Sequence, residues 1–258
     1  MDALELDPGR VILDEWYLGY TDCAGNIEGI FKKYADVLRK KLPVSYGRTD
    51  LNRRWLLWGS WNDGLWWNVS EELLLTEAKF LKENFPTVRW VQLDSGYSIL
   101  NEVIHGLGVP YEGDEGVDYH KFPNGLRGYS DNVREIGLTP ALWIGLYCPT
   151  MSKIYQEKPQ WFLDYRYRME GTQPLDVSQS DVREYMAKAL ETLCCKYGFE
   201  SVKLDFWSYA FEDSHDLFTN KKHSGYEYRR WFFNTIRGFL PHDAYLQSCC
   251  DLSMGNPF

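Results

Sequence analysis

The sequence predicts an α/β fold. The expected architecture is a (β/α)8 TIM barrel, incomplete in this chain, with about five βα units over residues 51–258 and a separate N-terminal segment over residues 1–50. Three observations predict it. From Arg53 onward, short apolar runs alternate with amphipathic stretches at the spacing of parallel βαβ units. Polar and aromatic residues recur at the C-terminal ends of these runs, where barrel sites assemble: Trp61 after the first, Asp94 after the second, Tyr147 after the third and Asp205 in the fourth. No Gly-rich phosphate turn follows the first strand, as a dinucleotide-binding sheet would show; Gly106 and Gly108 lack a third glycine and the strand-to-helix setting.

Residues 11–20 read as a strand and residues 27–41 as a helix that stops near Pro43. The first barrel strand is expected at 55–61. Ser70 then caps a helix over 71–84, where Leu74, Ala78, Leu81 and Phe85 keep helical spacing. The second strand covers 88–94. A long loop rich in Gly and acidic residues follows, from Ser95 to about Asn124, and long loops in compact domains are often functional. A helix over 125–136 leads to the third strand at 138–147, and a short helix is expected within 154–163. Ser180 is read as the cap of a helix over 181–197, with Val182, Met186, Ala189, Leu190 and Leu193 on one face. The fourth strand is 201–206, a further helix 225–240, and the fifth strand 244–249. Five strands fall short of the eight a closed barrel needs, so the expectation is a piece of a longer protein or one half of an assembled barrel.

The chain has 258 residues and a formal net charge of −9, which argues against nonspecific nucleic-acid binding. No apolar run approaches a membrane span, and residues 1–10 are acidic with no apolar export signal, so the expected location is the cytoplasm. The six cysteines include two adjacent pairs and no C-x-x-C, which argues against a zinc site and favours reduced thiols. Asn68-Val-Ser70 matches a glycosylation sequon, but Ser70 is more simply a helix cap. Aromatic residues make up 16%, enough for either a large aromatic core or flat faces that stack sugar rings. The five histidines show no metal-like spacing and are read as surface or loop residues.

Lys203 and Asp205 alternate with Val202, Leu204 and Phe206, so an ammonium and a carboxylate share one face of the fourth strand. A structural ion pair is one explanation. A nucleophilic carboxylate kept ionised by a neighbouring cation is the other. Gln92 and Asp94 likewise share one face of the second strand, and a carboxylate there can accept hydrogen bonds from sugar hydroxyls or cap the following loop. Trp58, Trp61, Trp143 and Tyr147 either stack a sugar or fill the core.

Six segments in register resemble one family: Trp58-Gly-Ser-Trp61, Gln92-Leu-Asp-Ser-Gly96, Lys121-Phe-Pro-Asn-Gly125, Gly137-Leu-Thr-Pro-Ala-Leu-Trp143, Lys158-Pro-Gln-Trp161 and Lys203-Leu-Asp205. From about Leu51 to Phe258 the chain resembles the melibiase-type α-galactosidases, glycoside hydrolase family 36 in clan D. The resemblance implies retaining hydrolysis of terminal α-galactosyl residues through a covalent glycosyl-enzyme, with no metal or other cofactor, an oligosaccharide or glycoside substrate, and a homo-oligomer. By motif position Asp205 is the nucleophile, and Lys203 and Asp94 bind sugar hydroxyls. Trp61 and Trp143 shape the subsite, and Cys250 and Asp251 fall where the family places further sugar contacts. Residues 1–50 resemble the tail of the preceding β-sandwich domain. Two departures stand out. Ser95 replaces the second of two consecutive aspartates. The family's acid/base carboxylate lies beyond the fifth strand, past Phe258, so little hydrolysis of unactivated α-galactosides is expected from this chain alone. The alternatives are a transglycosylase of the same family that makes galactosyl-oligosaccharides and a noncatalytic carbohydrate-binding relic.

Overall fold

The computed structural model describes residues 27–41, 56–100, 106–164, 171–211 and 215–249. It divides into two units, one holding the first helix and one holding every other element. In chain order the elements are α1 (Ile27–Lys41), β1 (Leu56–Gly59), α2 (Glu71–Asn84), β2 (Val88–Leu93), α3 (Val109–Glu112), α4 (Gly125–Glu135), β3 (Thr139–Gly145), β4 (Tyr147–Pro149), α5 (Lys153–Glu157), β5 (Thr172–Pro174), α6 (Ser180–Glu191), β6 (Ser201–Asp205), α7 (Trp207–Phe211), α8 (Gly225–Phe239) and β7 (Leu246–Ser248). The strand expected at 11–20 and the positions Cys250 and Asp251 lie outside the described residues.

Five strands form one wholly parallel sheet in the order β1-β2-β3-β6-β7. Sequential neighbours with helical crossovers are the arrangement of an incomplete (β/α)8 barrel, as the sequence predicted. The strands are short, and in β2, β3 and β6 the side chains on the helix-covered face are apolar. Val91, Leu93, Leu142, Ile144, Val202 and Leu204 are fully buried. Helix faces cover them: Leu74 and Ala78 of α2, Leu126 and Val133 of α4, Val182, Met186 and Leu190 of α6, and Phe232 and Ile236 of α8. Burying one such side chain contributes roughly 1.5–3 kcal/mol, which outweighs the low intrinsic pairing energy of three- to seven-residue strands.

Ser70 caps α2 as expected, its Oγ accepting from Leu73 N at 3.3 Å. Glu71 in the first turn is buried and accepts from the Asn124 backbone and the Asn124 and Asn132 amides, tying α2 to the entry of α4. α8 begins with a capping box between Ser224 and Glu227.

Three expectations need correction. Ser180 is not a cap: Gln179 holds that position without a side-chain hydrogen bond, and Ser180 is already helical. The buried carboxylate of Asp176 fixes the entry instead, accepting from Ser178 N and Oγ, Gln179 Nε2 and Thr219 N. The third strand does not run to Tyr147. It ends at Gly145, and Tyr147 opens β4, which pairs antiparallel with β5 in a separate two-stranded sheet. The long loop from Ser95 to Asn124 is not bare; it carries α3 and a 3-10 turn over Gly113–Gly116. Gly106, one of the two glycines dismissed as a phosphate turn, has a packing role. A Cβ there would stand 2.3 Å from the backbone of Gly145, and this close approach lets Leu107 N donate to Gly145 O at 3.1 Å.

Candidate active site

β2, β3 and β6 are neighbours, and their C-terminal ends carry Asp94, Trp143 and Asp205. The register pairs Trp143 with Lys203 and Gly145 with Asp205. Strand alternation then sends Lys203 and Asp205 to one side, while Val202 and Leu204 enter the helix-covered core. The pairing seen in the sequence is therefore real, but its geometry is unequal. Lys203 Nζ donates to Asp94 Oδ2 at 2.9 Å and stands 3.9 Å from Asp205 Oδ2. One ammonium lies between two carboxylates and leans on Asp94. All three are buried, at 7% exposure for Lys203, 2% for Asp94 and 7% for Asp205.

Each carboxylate is held by further donors. Asp205 Oδ2 accepts from the Trp143 indole at 3.1 Å, and its Oδ1 accepts from Phe206 N at 2.9 Å. The second bond depends on backbone strain. Phe206 has φ 55°, a left-handed conformation unusual for an aromatic residue, and such strain concentrates where a site must be held in place. Asp94 Oδ2 also accepts from Gln92 Nε2 at 3.0 Å, and its Oδ1 accepts from Ser95 N at 2.9 Å. The Asp94 N–H donates to Ser60 Oγ at 3.0 Å, which joins β1 to the cluster. Tyr97 donates its hydroxyl to Trp143 O at 3.1 Å, and burial, with Asp94 nearby, pushes that phenol far above its ordinary value. It is therefore a fixed donor rather than a base.

Of the residues read from sequence, Asp94, Ser95, Trp143, Lys203 and Asp205 converge. Trp61 sits in the loop after β1, half-buried and edge-on to Trp67 with ring centroids 5.2 Å apart. Tyr147 is buried and meets Phe206 edge-on. His120, His223 and His242 are exposed, as expected. Among the described residues no His, Cys, Asp or Glu cluster is placed to hold a metal, and no helix is long and apolar enough to cross a membrane. Cys194 and Cys195 are free thiols, and burial pushes Cys194 up to about 12. Sequence reasoning missed Ser60, whose only signal is its place inside the Trp58–Trp61 segment. It also left the amide of Gln92 without a role.

Residues 16–235 match the family model described as Melibiase, a span that includes Asp94, Ser95, Trp143, Lys203 and Asp205. The chain belongs to the melibiase family. Among curated melibiase relatives, it is 27% identical over 208 residues to "Alpha-galactosidase AgaA" of Geobacillus stearothermophilus, covering 78% of this chain and 27% of that protein. It is 33% identical over 98 residues to "Alpha-galactosidase 2" of Pediococcus pentosaceus, covering 36% of this chain and 14% of that protein. The chain thus spans about a quarter or less of the length of these relatives. Among solved structures, TtGalA, an α-galactosidase from Thermus thermophilus in complex with stachyose, superposes with a TM-score of 0.63 at 23% identity, covering 86% of this chain and 44% of that one. An AgaA variant in complex with stachyose gives 0.62 at 22% identity, covering 85% and 31%. These superpositions support the barrel fold and match its incompleteness.

Proposed function

We propose that the protein containing this chain hydrolyses terminal α-galactosyl residues by a retaining, double-displacement mechanism. The observation that carries the reading is the buried Asp94–Lys203–Asp205 cluster at the C-terminal ends of β2 and β6, in a chain of the melibiase family. Asp205 attacks the anomeric carbon as the glycosidic bond breaks, giving a covalent glycosyl-enzyme that water then hydrolyses. Two hydrogen bonds, one to each oxygen, hold its carboxylate before substrate arrives, so little reorganisation remains for the reaction step.

Asp94 and Lys203 serve the sugar rather than the bond that breaks. A carboxylate accepts from two hydroxyls and an ammonium donates to hydroxyl oxygens, a pairing suited to the vicinal diols of a pyranose. Ser95 adds a neutral hydroxyl beside Asp94, where a carboxylate would bind a sugar hydroxyl more strongly by about 1 kcal/mol. The leaving oxygen needs a proton from a second carboxyl group roughly 5–5.5 Å from the nucleophile in a retaining enzyme.

The full-length protein tests the reading with 4-nitrophenyl α-galactoside, followed by proton NMR. First-formed α-galactose supports retention. First-formed β-galactose, or no turnover of any α-galactoside, refutes it. A galactosyl-oligosaccharide as main product when sugar acceptors are added would instead assign a transglycosylase.

A further inference from the structure

We infer that Gln92 is a specificity-determining residue whose buried carbonyl oxygen accepts a hydrogen bond from one hydroxyl of the bound sugar. This rests on the glycosidase reading above. Gln92 lies two residues before Asp94 on the same face of β2 and is 3% exposed. Its register partner on β1 is Gly59, and a Cβ at Gly59 would come within 3.4 Å of Gln92 Nε2, so the small residue leaves room for the amide.

The amide makes one of its bonds and leaves another unmade. Nε2 donates to Asp94 Oδ2, the same oxygen that accepts from Lys203. The reverse orientation is excluded chemically, because it would set a carbonyl oxygen against a carboxylate. Oε1 is buried and has no hydrogen-bond partner among the described residues. A buried acceptor left unsatisfied costs ~1–3 kcal/mol, so such an atom in a native site calls for a donor. Lys203 does not supply it, its short bond going to Asp94.

The surroundings can admit that donor. Gln92 lines a cavity of about 240 Å3 with Trp58, Asn62, Asp63, Lys203 and Gln247. That is several times the ~30 Å3 a liquid water occupies. Lys203 of the sugar-binding pair shares that wall with Gln92, beside further polar groups and one indole. Oε1 is shielded from that space, so the amide must turn slightly towards it to meet a ring hydroxyl, whose donation then satisfies the orphan acceptor. Through Nε2 the same side chain steadies Asp94. A sugar lacking that hydroxyl leaves the acceptor buried and unpaired, and sites built this way discriminate strongly against such analogues. The Tyr129 hydroxyl, another buried group without a hydrogen-bond partner among the described residues, sits between Phe122 and Phe199 in the core, away from this cavity.

The test is kcat/KM of the full-length protein on 4-nitrophenyl α-galactoside and its 2-, 3-, 4- and 6-deoxy analogues, for the wild type, Gln92→Met and Asp94→Asn. We expect one deoxy position, outside the set that depends on Asp94, to cost the wild type roughly tenfold or more. In Gln92→Met that penalty should fall close to unity while the others persist. An equal loss at every position would show a purely supporting role through Asp94 and overturn the inference. Should Gln92→Met not fold, Gln92→Leu decides: it also removes the acceptor without adding a charge beside Asp94, so the penalty at that one position must vanish. Its persistence overturns the proposal. Wild-type protein that neither turns over nor binds any member of the series defeats the glycosidase reading itself, whereas normal turnover without a Gln92-dependent position defeats this inference alone.

Discussion

Replacing Lys203 by Met removes the ammonium and keeps most of the side-chain volume. The positive charge now stands 2.9 Å from Asp94 Oδ2 and 3.9 Å from Asp205 Oδ2, with the pair to Asp94 nearly excluded from solvent. At an effective dielectric near 20 these separations correspond to gross attractions of ~6 and ~4 kcal/mol. Desolvation of all three groups offsets much of that. The loss on removing one partner of such a buried pair is nevertheless ~3–5 kcal/mol, because an uncompensated carboxylate is left behind. For a chain of this size that corresponds to a melting temperature lower by roughly 6–20 °C. The measurement is denaturant unfolding of wild type, Lys203→Met, Asp94→Asn and the double variant. If the charge pair is the cause, adding Asp94→Asn to Lys203→Met recovers a large part of the loss, and the cycle gives a coupling energy above ~1 kcal/mol. A Lys203→Met cost under about 1 kcal/mol, or simple additivity, would refute the electrostatic argument and leave Lys203 as a spectator of the two carboxylates.

Other consequences are equally measurable. Trp143→Phe removes the indole donor to Asp205 Oδ2 while keeping an aromatic face, so the rate of glycosyl-enzyme formation should fall roughly tenfold or more, read by pre-steady-state burst kinetics. Ser95→Asp restores a charged acceptor beside Asp94 and should tighten galactose binding by roughly 5- to 10-fold in calorimetric titration; weaker binding would show that the neutral residue suits this sugar better. Ser224→Ala breaks the α8 capping box and should cost about 1 kcal/mol in a thermal melt. Burial works to raise the Glu227 carboxyl, but hydrogen bonds from Ser224 and contact with His223 outweigh it and hold it below its ordinary value. A depressed folded-state pKa means that the stabilisation is complete above the unfolded carboxylate value and is lost as pH falls through the folded one, so the Ser224→Ala and wild-type melts should converge in acid.

Much of the barrel was legible because its strands and helices follow two simple periodicities. Residues 71–84 read as a helix from Ser70 and the apolar spacing, and α2 has those bounds. Residues 27–41 likewise match α1. The reading failed where a tertiary contact overrides a local signal. Ser180 is a good capping residue by type, yet the buried Asp176 carboxylate, reaching Thr219 across the fold, fixes where α6 begins. The apolar run through Tyr147 looks like one strand, but the chain leaves the sheet after Gly145, where Gly106 packs on it, and Tyr147 pairs in a second sheet.

The site shows the same division. Alternation placed Lys203 with Asp205 and Gln92 with Asp94, and both pairings hold. That Lys203 leans towards Asp94 follows from the lateral register of β2, β3 and β6, which no local pattern encodes. The strained backbone at Phe206, which supplies a donor to Asp205, leaves no trace in residue type. Ser60 is a small polar residue whose role exists only because β1 lies beside β2.

The central claim is that Asp205 forms a covalent bond to the sugar. The most direct measurement treats the full-length protein with 2-deoxy-2-fluoro-α-galactosyl fluoride and maps the adduct by peptide mass spectrometry. Fluoride leaves without needing a protonated acid, so the trap reports on the nucleophile itself. A fluorogalactosyl group on the peptide containing Asp205, absent in Asp205→Asn, is the predicted result. A label on a different carboxylate, or no label on protein shown to bind galactose, would contradict it.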